Sequence, residues 1–411
     1  MKNNLALIKS RGNLPPPLPQ FLHTETKLIA ENDPDYIYYD VLITNLQSTT
    51  TPPPALYYNE NRNKPYVPVS GDYDLSITRF QLDTQTLPVF IPVIQPNQGD
   101  PDLTIYSITL SYGAVDSAQT FLSWIPQDTS APVPPAPNLT SNGQADNQFG
   151  YYNAYNFSWL TYLMNGAFAQ ATASLIANVI ASGGALPVWT KPPLMTWDST
   201  NNIATISAQT PLYDSLSGNL YIRVYFNAPL FTLFSTFVAQ YDGYTGVVNG
   251  KNNQIILANF RGTNTAILPP DSVDPNDLYL QVYQEQPSIS AWSPIASVVF
   301  TSATLPLVPN NISAPLIFRD TAQLGASDGN NANISQVLTD FCVGNNSYQP
   351  YILYNPTAEY RRISLFGSQP LTNFDLNVFW KDRVGTLHPL LLASGGTCSI
   401  KILFERRKKF L

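Results

Sequence analysis

From Tyr36 onward the chain alternates apolar and polar positions with a period of two. Successive side chains of a strand point to opposite faces, so this period is the signature of half-buried β-structure. Tyr36 to Thr44 is aromatic and β-branched and stops at Asn45. Asp74 to Leu82 alternates, sending Leu75, Ile77 and one of Phe80 or Leu82 inward. Between these runs, Pro52, Pro53 and Pro54 force a loop. Leu87 to Ile94 is apolar but holds Pro88 and Pro92, which cannot donate to a ladder, so it reads as an edge strand or an extended crossover. Further strands are predicted at Thr104–Tyr112, Gln119–Ile125, Leu220–Phe226, Gln254–Phe260, Leu278–Glu285 and Ile295–Phe300. The last group is Ser335–Phe341, Tyr351–Tyr354, Tyr360–Phe366, Phe374–Lys381, His388–Leu392 and Cys398–Glu405.

Two stretches depart from this period. Tyr151 to Ala181 places Trp159, Tyr162, Leu163, Ala167, Ala171, Leu175, Ile176 and Val179 near a three-to-four spacing and ends at Ser182-Gly183-Gly184, which predicts a helix packed on a sheet. Pro229–Phe237 fits a short second helix, and 127–150 reads as a loop dense in Pro, Asn, Gly and Asp. Many short strands with one or two helices predict an all-β sandwich or jelly roll and exclude alternating βαβ folds.

Composition narrows the class. Of 411 residues only 12% are charged, about half the usual ~25%, while 44% are apolar, which rules out intrinsic disorder. The same scarcity of charge argues against a helical bundle, whose exposed faces carry Glu, Lys and Arg. Residues 1–30 read as an extended arm, because Pro15, Pro16, Pro17 and Pro19 impose polyproline geometry. The net charge of −7 is unevenly distributed. Residues 1–11 carry +3 and residues 401–411 carry +4, leaving the body between them at −14. Such a body repels nucleic acid at long range, whereas the ends can touch phosphate. No signal-like apolar core and no run long enough for a membrane span is visible, so assembly without secretion is expected. In that setting the Asn-x-Ser/Thr matches at Asn138, Asn156, Asn311, Asn333 and Asn345 carry little weight.

Candidate chemistry is sparse. Cys342 and Cys398 suit buried thiols, and the only histidines are His23, in the arm, and His388, before Pro389. A Ser or Cys nucleophile needs a nearby base, and a zinc set needs more ligands than these. There is no phosphate-binding glycine loop. Asp271, Asp274 and Asp277 are oxygen donors at calcium-like spacing, with an ordinary Asp-rich turn as the simpler reading. Paired carboxylates among the 28 acids leave a hydrolase open as an alternative. No enzyme activity, metal or cofactor is expected. Large interfaces favour Tyr, Phe and Trp and deplete Lys, Glu and Asp, so the composition is that of an assembled subunit whose sides face other chains.

Two stretches carry a family resemblance. Ser76-Ile77-Thr78-Arg79-Phe80-Gln81-Leu82, continuing to Pro92, resembles an early-strand segment of the minor capsid (penton) proteins of virophages and polinton-like viruses. Leu371 to Gly385, with Ser399-Ile400-Lys401-Ile402-Leu403-Phe404, resembles the final strands of the same proteins. The resemblance implies a jelly-roll subunit, five per icosahedral vertex, surrounded by double-jelly-roll major capsid protein. It also implies an extra domain inserted between jelly-roll strands and projecting outward.

The expected organisation is an arm at 1–30, first jelly-roll strands at 31–126, an inserted or second β-rich domain with its helix at 127–330, final jelly-roll strands at 331–404 and a basic tail at 405–411. Arg406, Arg407, Lys408 and Lys409 in that tail are the candidate residues facing packaged nucleic acid. The expected role is a structural subunit of the virion capsid, assembled inside the host cell as a homo-pentamer. The alternatives are a double-jelly-roll major capsid protein and a spike or carbohydrate-binding attachment module.

Overall fold

Strands form where aromatic and β-branched residues alternate with polar ones, in the order the chain supplies them. First come β1 (Tyr36–Thr44), β2 (Tyr57–Asn61) and β3 (Tyr73–Asp83). Next are β4 (Leu103–Tyr112), β5 (Val115–Asp116), β6 (Thr120–Ser123) and helix α1 (Phe157–Ala181). There follow β7 (Leu194–Asp198), β8 (Ile203–Gln209), α2 (Thr210–Tyr213), β9 (Ile222–Phe226), α3 (Ala228–Leu233), β10 (Ala239–Tyr241), β11 (Asn253–Ile255) and β12 (Tyr279–Tyr283). The chain then runs through β13 (Ile295–Thr301), β14 (Asn310–Ile312), β15 (Asn333–Ser335), β16 (Val337–Phe341), β17 (Tyr351–Tyr354), β18 (Ile363–Ser364), β19 (Asn373–Asp382), β20 (Leu387–Pro389) and β21 (Thr397–Arg406). The computed structural model describes residues 34–48, 50, 52–96, 98–137, 150–243, 250–259, 278–308, 310–312, 333–342, 351–354, 361–383 and 385–407. The expected arm at 1–30, His23, the acidic turn of Asp271, Asp274 and Asp277, and Lys408 and Lys409 lie outside the described residues.

Two five-stranded sheets make the sandwich. One has the order β1-β21-β3-β17 with β18 added on β3, and the other β16-β13-β19-β2 with β20 added on β19. Numbering the principal strands β1, β2, β3, β13, β16, β17, β19 and β21 from first to eighth, the sheets read 1-8-3-6 and 5-4-7-2. That interleaving of early and late strands is a jelly roll. Its core takes one face from each sheet: Leu75, Phe80, Ile400, Ile402 and Phe404 meet Phe300, Leu338, Phe374 and Leu376. The Phe80 ring lies 5.1 Å from that of Phe300 and 4.7 Å from that of Phe341.

β3 shows how register resolves an ambiguity in the pattern. Tyr73, Leu75 and Ile77 point inward, yet so do Phe80 and Leu82, which have the opposite parity. The ladder to β21 shifts register here: Ile402 pairs with Ile77 but Lys401 with Arg79, which leaves Thr78 as the extra residue of a bulge. The Thr78 hydroxyl donates to the Lys401 carbonyl at 3.2 Å. One added residue flips all following side chains to the other face, so Phe80 and Leu82 both enter the core.

A second body is threaded between the third and fourth jelly-roll strands. Leu87 still packs in the sandwich core, whereas Val89, Phe90 and Ile94 belong to a separate apolar cluster. This segment is the extended crossover expected from its prolines, held by isolated bridges from Phe90 to Ala154 and from Ile94 to Thr104. In the second body α1 lies between a six-stranded sheet (β10-β11-β9-β4-β5 with β6 on β4) and a three-stranded sheet (β12-β8-β7). Burial on several sides explains why α1 carries no charged residue. Contrary to the expectation that no run reaches span length, this helix is by length and composition apolar enough to cross a membrane. Here Met164, Phe168, Ala171 and Leu175 are instead fully enclosed between the sheets. The Asn156 side chain caps its start by accepting from the Trp159 amide at 2.9 Å. Gly183, at φ 78°, ends it. The helix is shorter at its start than the predicted 151–181, because Tyr151 and Tyr152 are used as anchors: their hydroxyls donate to Asp102 and to the Pro101 carbonyl.

Strand pairing divides the chain differently from the pattern alone. β4 and β6, expected with the first jelly-roll strands, lie in the six-stranded sheet, and β13, expected within 127–330, is the fourth strand of the sandwich. Periodicity reports which face of a strand is apolar but not which sheet receives it. β2, β7 and β8 were not anticipated, and the runs at 254–260, 360–366 and 388–392 form only short strands.

Phe80 is 1% exposed at the centre of this packing. Phe80→Ala is expected to lower unfolding stability by about 3–5 kcal/mol through the cavity it leaves, read as a shifted urea midpoint with an unchanged slope.

Candidate assembly interface

The outward face of β1 carries three exposed apolar side chains. Ile37, Tyr39, Val41 and Ile43 point inward, whereas Tyr36, Tyr38 and Leu42 point out and are 53%, 58% and 70% exposed. The Lys401 ammonium sits 5.2 Å above the Tyr38 ring, and Asp40 lies within 4 Å of Arg79 and Lys401. These exposed ion pairs contribute little to stability. β1 pairs with β21 on one side and, among the described residues, with no strand on the other. β2 is likewise a terminal strand of its sheet, with Tyr57 half exposed, so one edge of the sandwich presents two strand edges together. At the opposite edge β16 and β17 end their sheets, and Leu353 is 55% exposed. Exposed strand edges template pairing with another chain unless covered.

A polar clasp holds the β1–β2 edge together from within. The Glu60 carboxylate on β2 accepts hydrogen bonds from the hydroxyls of Tyr39 on β1 and Tyr58 on β2, and from Tyr66 at 2.9 Å. Arg62 Nε donates to its other oxygen at 2.8 Å, and the guanidinium covers the Tyr39 and Tyr66 rings at 4.7 and 4.8 Å. The hydroxyls of Tyr39 and Tyr58, followed by Arg62, pull the Glu60 carboxyl down to about 2. Burial, with the hydrogen bond to Glu60, pushes Tyr58 and Tyr66 above the usual tyrosine range. The clasp was missed in the sequence, although Tyr58, Glu60 and Arg62 share one face of the Tyr-Tyr-Asn-Glu-Asn-Arg run.

The basic C-terminus is partly used by the fold. Arg407 Nε donates to Asp74 Oδ1 at 2.7 Å, and its Nη2 donates to the Leu365 carbonyl at 2.8 Å. Arg407 is therefore a latch on β3 rather than part of a solvated tail. Arg406 is the last residue of β21, and its amide donates to the Asp35 carbonyl.

The other singled-out residues take structural places. His388 Nε2 lies 2.9 Å from Asp382 Oδ2, and the ring stacks on Trp380 at 4.1 Å, both polar partners being buried. Burial pushes the Cys398 thiol up to about 12, and Cys342 is exposed at the end of β16. Among the described residues no three His, Cys, Asp or Glu side chains gather where they could hold a metal ion. Asp375 is buried but fully engaged, accepting from the Ser302 and Thr304 hydroxyls and from the Ala303 and Thr304 amides. Burial raises its carboxyl, and these donors outweigh burial to hold it below the usual range.

Comparison with known proteins places this geometry. The family model of the Sputnik minor capsid protein V18/19 matches residues 37–406. The uncharacterized protein V18 of Sputnik virophage is 33% identical over 149 residues, 36% of this chain and 88% of that protein. The structural protein V19 of the same virophage is 26% identical over 216 residues, 51% of this chain and 93% of that protein. A chain in the cryo-electron microscopy structure of the Sputnik virophage superposes with a TM-score of 0.76 at 26% identity, covering 91% of this chain and 98% of that one. The mavirus penton protein shares the fold, with a TM-score of 0.57 at 13% identity over 90% of this chain and 99% of that one.

The clasp sets a stability window in pH. A carboxyl held low in the folded state contributes stability that is fully present at neutral pH and declines from ~4.3, the unfolded glutamate value, toward about 2. Tyrosines held protonated contribute below ~10 and lose that contribution as pH rises past it. Denaturation midpoints measured across pH are expected to fall on both sides, with Glu60→Gln flattening the acid limb and Tyr58→Phe with Tyr66→Phe flattening the alkaline one.

Proposed function

The chain belongs to the Sputnik minor capsid protein V18/19 family, and from that premise we propose that five copies close a ring at each vertex of an icosahedral shell. It is a structural protein of the virion capsid. Family membership points to a building role without catalysis. The pentameric reading is carried by one observation: the described residues form one eight-stranded jelly roll, and among them no further strand pairs with β1 or β2 at one edge or with β16 or β17 at the other. A ring needs two different faces on each subunit, one meeting the next copy and one the previous, and a rotation that closes. The β1–β2 edge with Tyr36, Tyr38, Leu42 and Tyr57, and the β16–β17 edge with Leu353, supply such a pair. The fold shared with the mavirus penton protein supports the same reading. The major-capsid alternative loses ground, because in the second body two sheets enclose a helix and do not repeat the jelly-roll order.

In this reading the inserted domain runs from the crossover at Leu87–Ile94 to Trp292, and projects from the shell while the sandwich contacts major capsid protein around it. The basic terminus faces packaged nucleic acid through Arg406, Lys408 and Lys409, with Arg407 serving to hold the last strand in place.

Light scattering on the purified full chain, with electron-microscopic class averages, is expected to show five-membered rings. A monomer at every concentration that also fails to join particles overturns the proposal. For the terminus, Lys408→Ala with Lys409→Ala is expected to weaken binding to duplex DNA and to reduce the salt dependence, log K against log salt, by ~2 units of slope. Unchanged binding in filter retention removes the nucleic-acid role.

A further inference from the structure

The second body carries a small open pocket that the capsid role leaves unused. It lies between α3 and the β10–β11 hairpin, has a volume of about 290 Å³, and is lined by Ala228, Phe231, Thr232, Ala239, Tyr241 and Asn253. That volume is at the lower end of the ~300–1,000 Å³ of small-molecule sites, which suits one ring rather than a longer ligand. Both walls are fixed. Asn227 caps α3 by accepting from the Leu230 amide, and it ties the helix to β4 through the Ser107 amide and the Ile105 carbonyl. Asn252 joins the two walls: its side chain accepts from the Ala228 amide at 3.2 Å and donates to the Gly243 carbonyl at 2.9 Å. A pocket already in its binding shape loses little entropy when filled.

The lining selects the chemistry. Tyr241 is half exposed on an edge strand, and Phe231 offers a second aromatic ring. Asn253 adds an amide, the Thr232 hydroxyl donates to the Ala228 carbonyl at 3.0 Å and keeps its oxygen as an acceptor, and among the described residues no charged side chain lines the pocket. Phosphate and carboxylate ligands would enter without a countercharge, and a purely apolar ligand would leave the Asn253 amide unmatched. A pyranose offers an apolar C–H face to an aromatic ring and hydroxyls to amide and hydroxyl partners. We propose that this pocket binds a neutral sugar ring, which would give the subunit an attachment function in addition to its place in the shell.

Saturation-transfer NMR on the full-length protein tests this with glucose, galactose, mannose and N-acetylglucosamine at millimolar concentration and glucuronate as the charged control. A printed array of neutral and acidic glycans accompanies it. At least one neutral sugar is expected to receive transfer, with Tyr241→Ala weakening its affinity about fivefold or more. Thr232→Arg, at an exposed position that leaves the core intact, is expected to abolish it. No transfer and no array signal overturns the proposal, as does binding confined to acidic sugars or binding that persists in Thr232→Arg. Ring formation is read separately by light scattering, so failure of the pocket is distinguishable from failure of the vertex role.

Discussion

The pairing of β1 with β21 is the constraint on which the rest of the sandwich rests. The ladder runs unbroken from Tyr36 opposite Glu405 to Thr44 opposite Thr397, so the first described strand is completed only when the last one arrives. β21 in turn lies between β1 and β3, and without it the first sheet splits into two parts. Long-range pairing of this kind pays its closure entropy before its contacts form, which slows folding. It also explains why Arg407 binds back to Asp74 and Leu365 directly after the strand. The latch holds the closing strand at its end, where fraying would otherwise begin.

Because closure depends on the ends, the middle of the chain is free to vary. Loop-closure cost grows only by about 0.6 kcal/mol per doubling of length, so a whole body fits between the third and fourth jelly-roll strands. The junction is nonetheless well packed. Ile91 in the outgoing crossover contacts both apolar clusters. On the return side the Arg383 guanidinium, just beyond β19, donates to the carbonyls of Ser290 and Ala291. The second body is thus tied to the sandwich through backbone carbonyls, whose geometry does not depend on the side chains around them.

Much of the sandwich was legible in the sequence because its strands are inward–outward alternations of aromatic and β-branched residues. Tyr36–Thr44 and Tyr351–Tyr354 have the predicted limits, and Phe374–Lys381 and Cys398–Glu405 gain a residue at each end. β2 escaped because Tyr57-Tyr58-Asn59-Glu60-Asn61 is polar on its outer face and owes its extended form to pairing with β19. β7 and β8 escaped although Asp198-Ser199-Thr200-Asn201-Asn202 is a turn sequence between two alternating runs, with Asn202 at φ 55°. The assembly surface was legible only as a composition. Which aromatic residues are exposed depends on strand parity and on the Thr78 bulge. The bond from Arg407 to Asp74 was not legible for the same reason, since no local pattern reveals that the two are within reach.

The scarcity of charge acquires a physical sense once the charged groups are located. Several of them hold connections within the subunit: Glu60 with Arg62 at the sandwich edge, Arg407 with Asp74 beside the last strand, and Lys251 with Asp116 in the inserted body. The β1 flank is left to Tyr36, Tyr38 and Leu42, with Asp40 held near two cations. Burying such a surface against another copy strips few ions of water, so it avoids the desolvation penalty that often cancels the gain from buried ion pairs. Contacts of that kind respond weakly to ionic strength, whereas contacts between a basic terminus and phosphate weaken steeply with salt. In the proposed assembly, lateral joints of this kind would outlast contacts of the basic terminus as salt rises, because the two would be built from different forces.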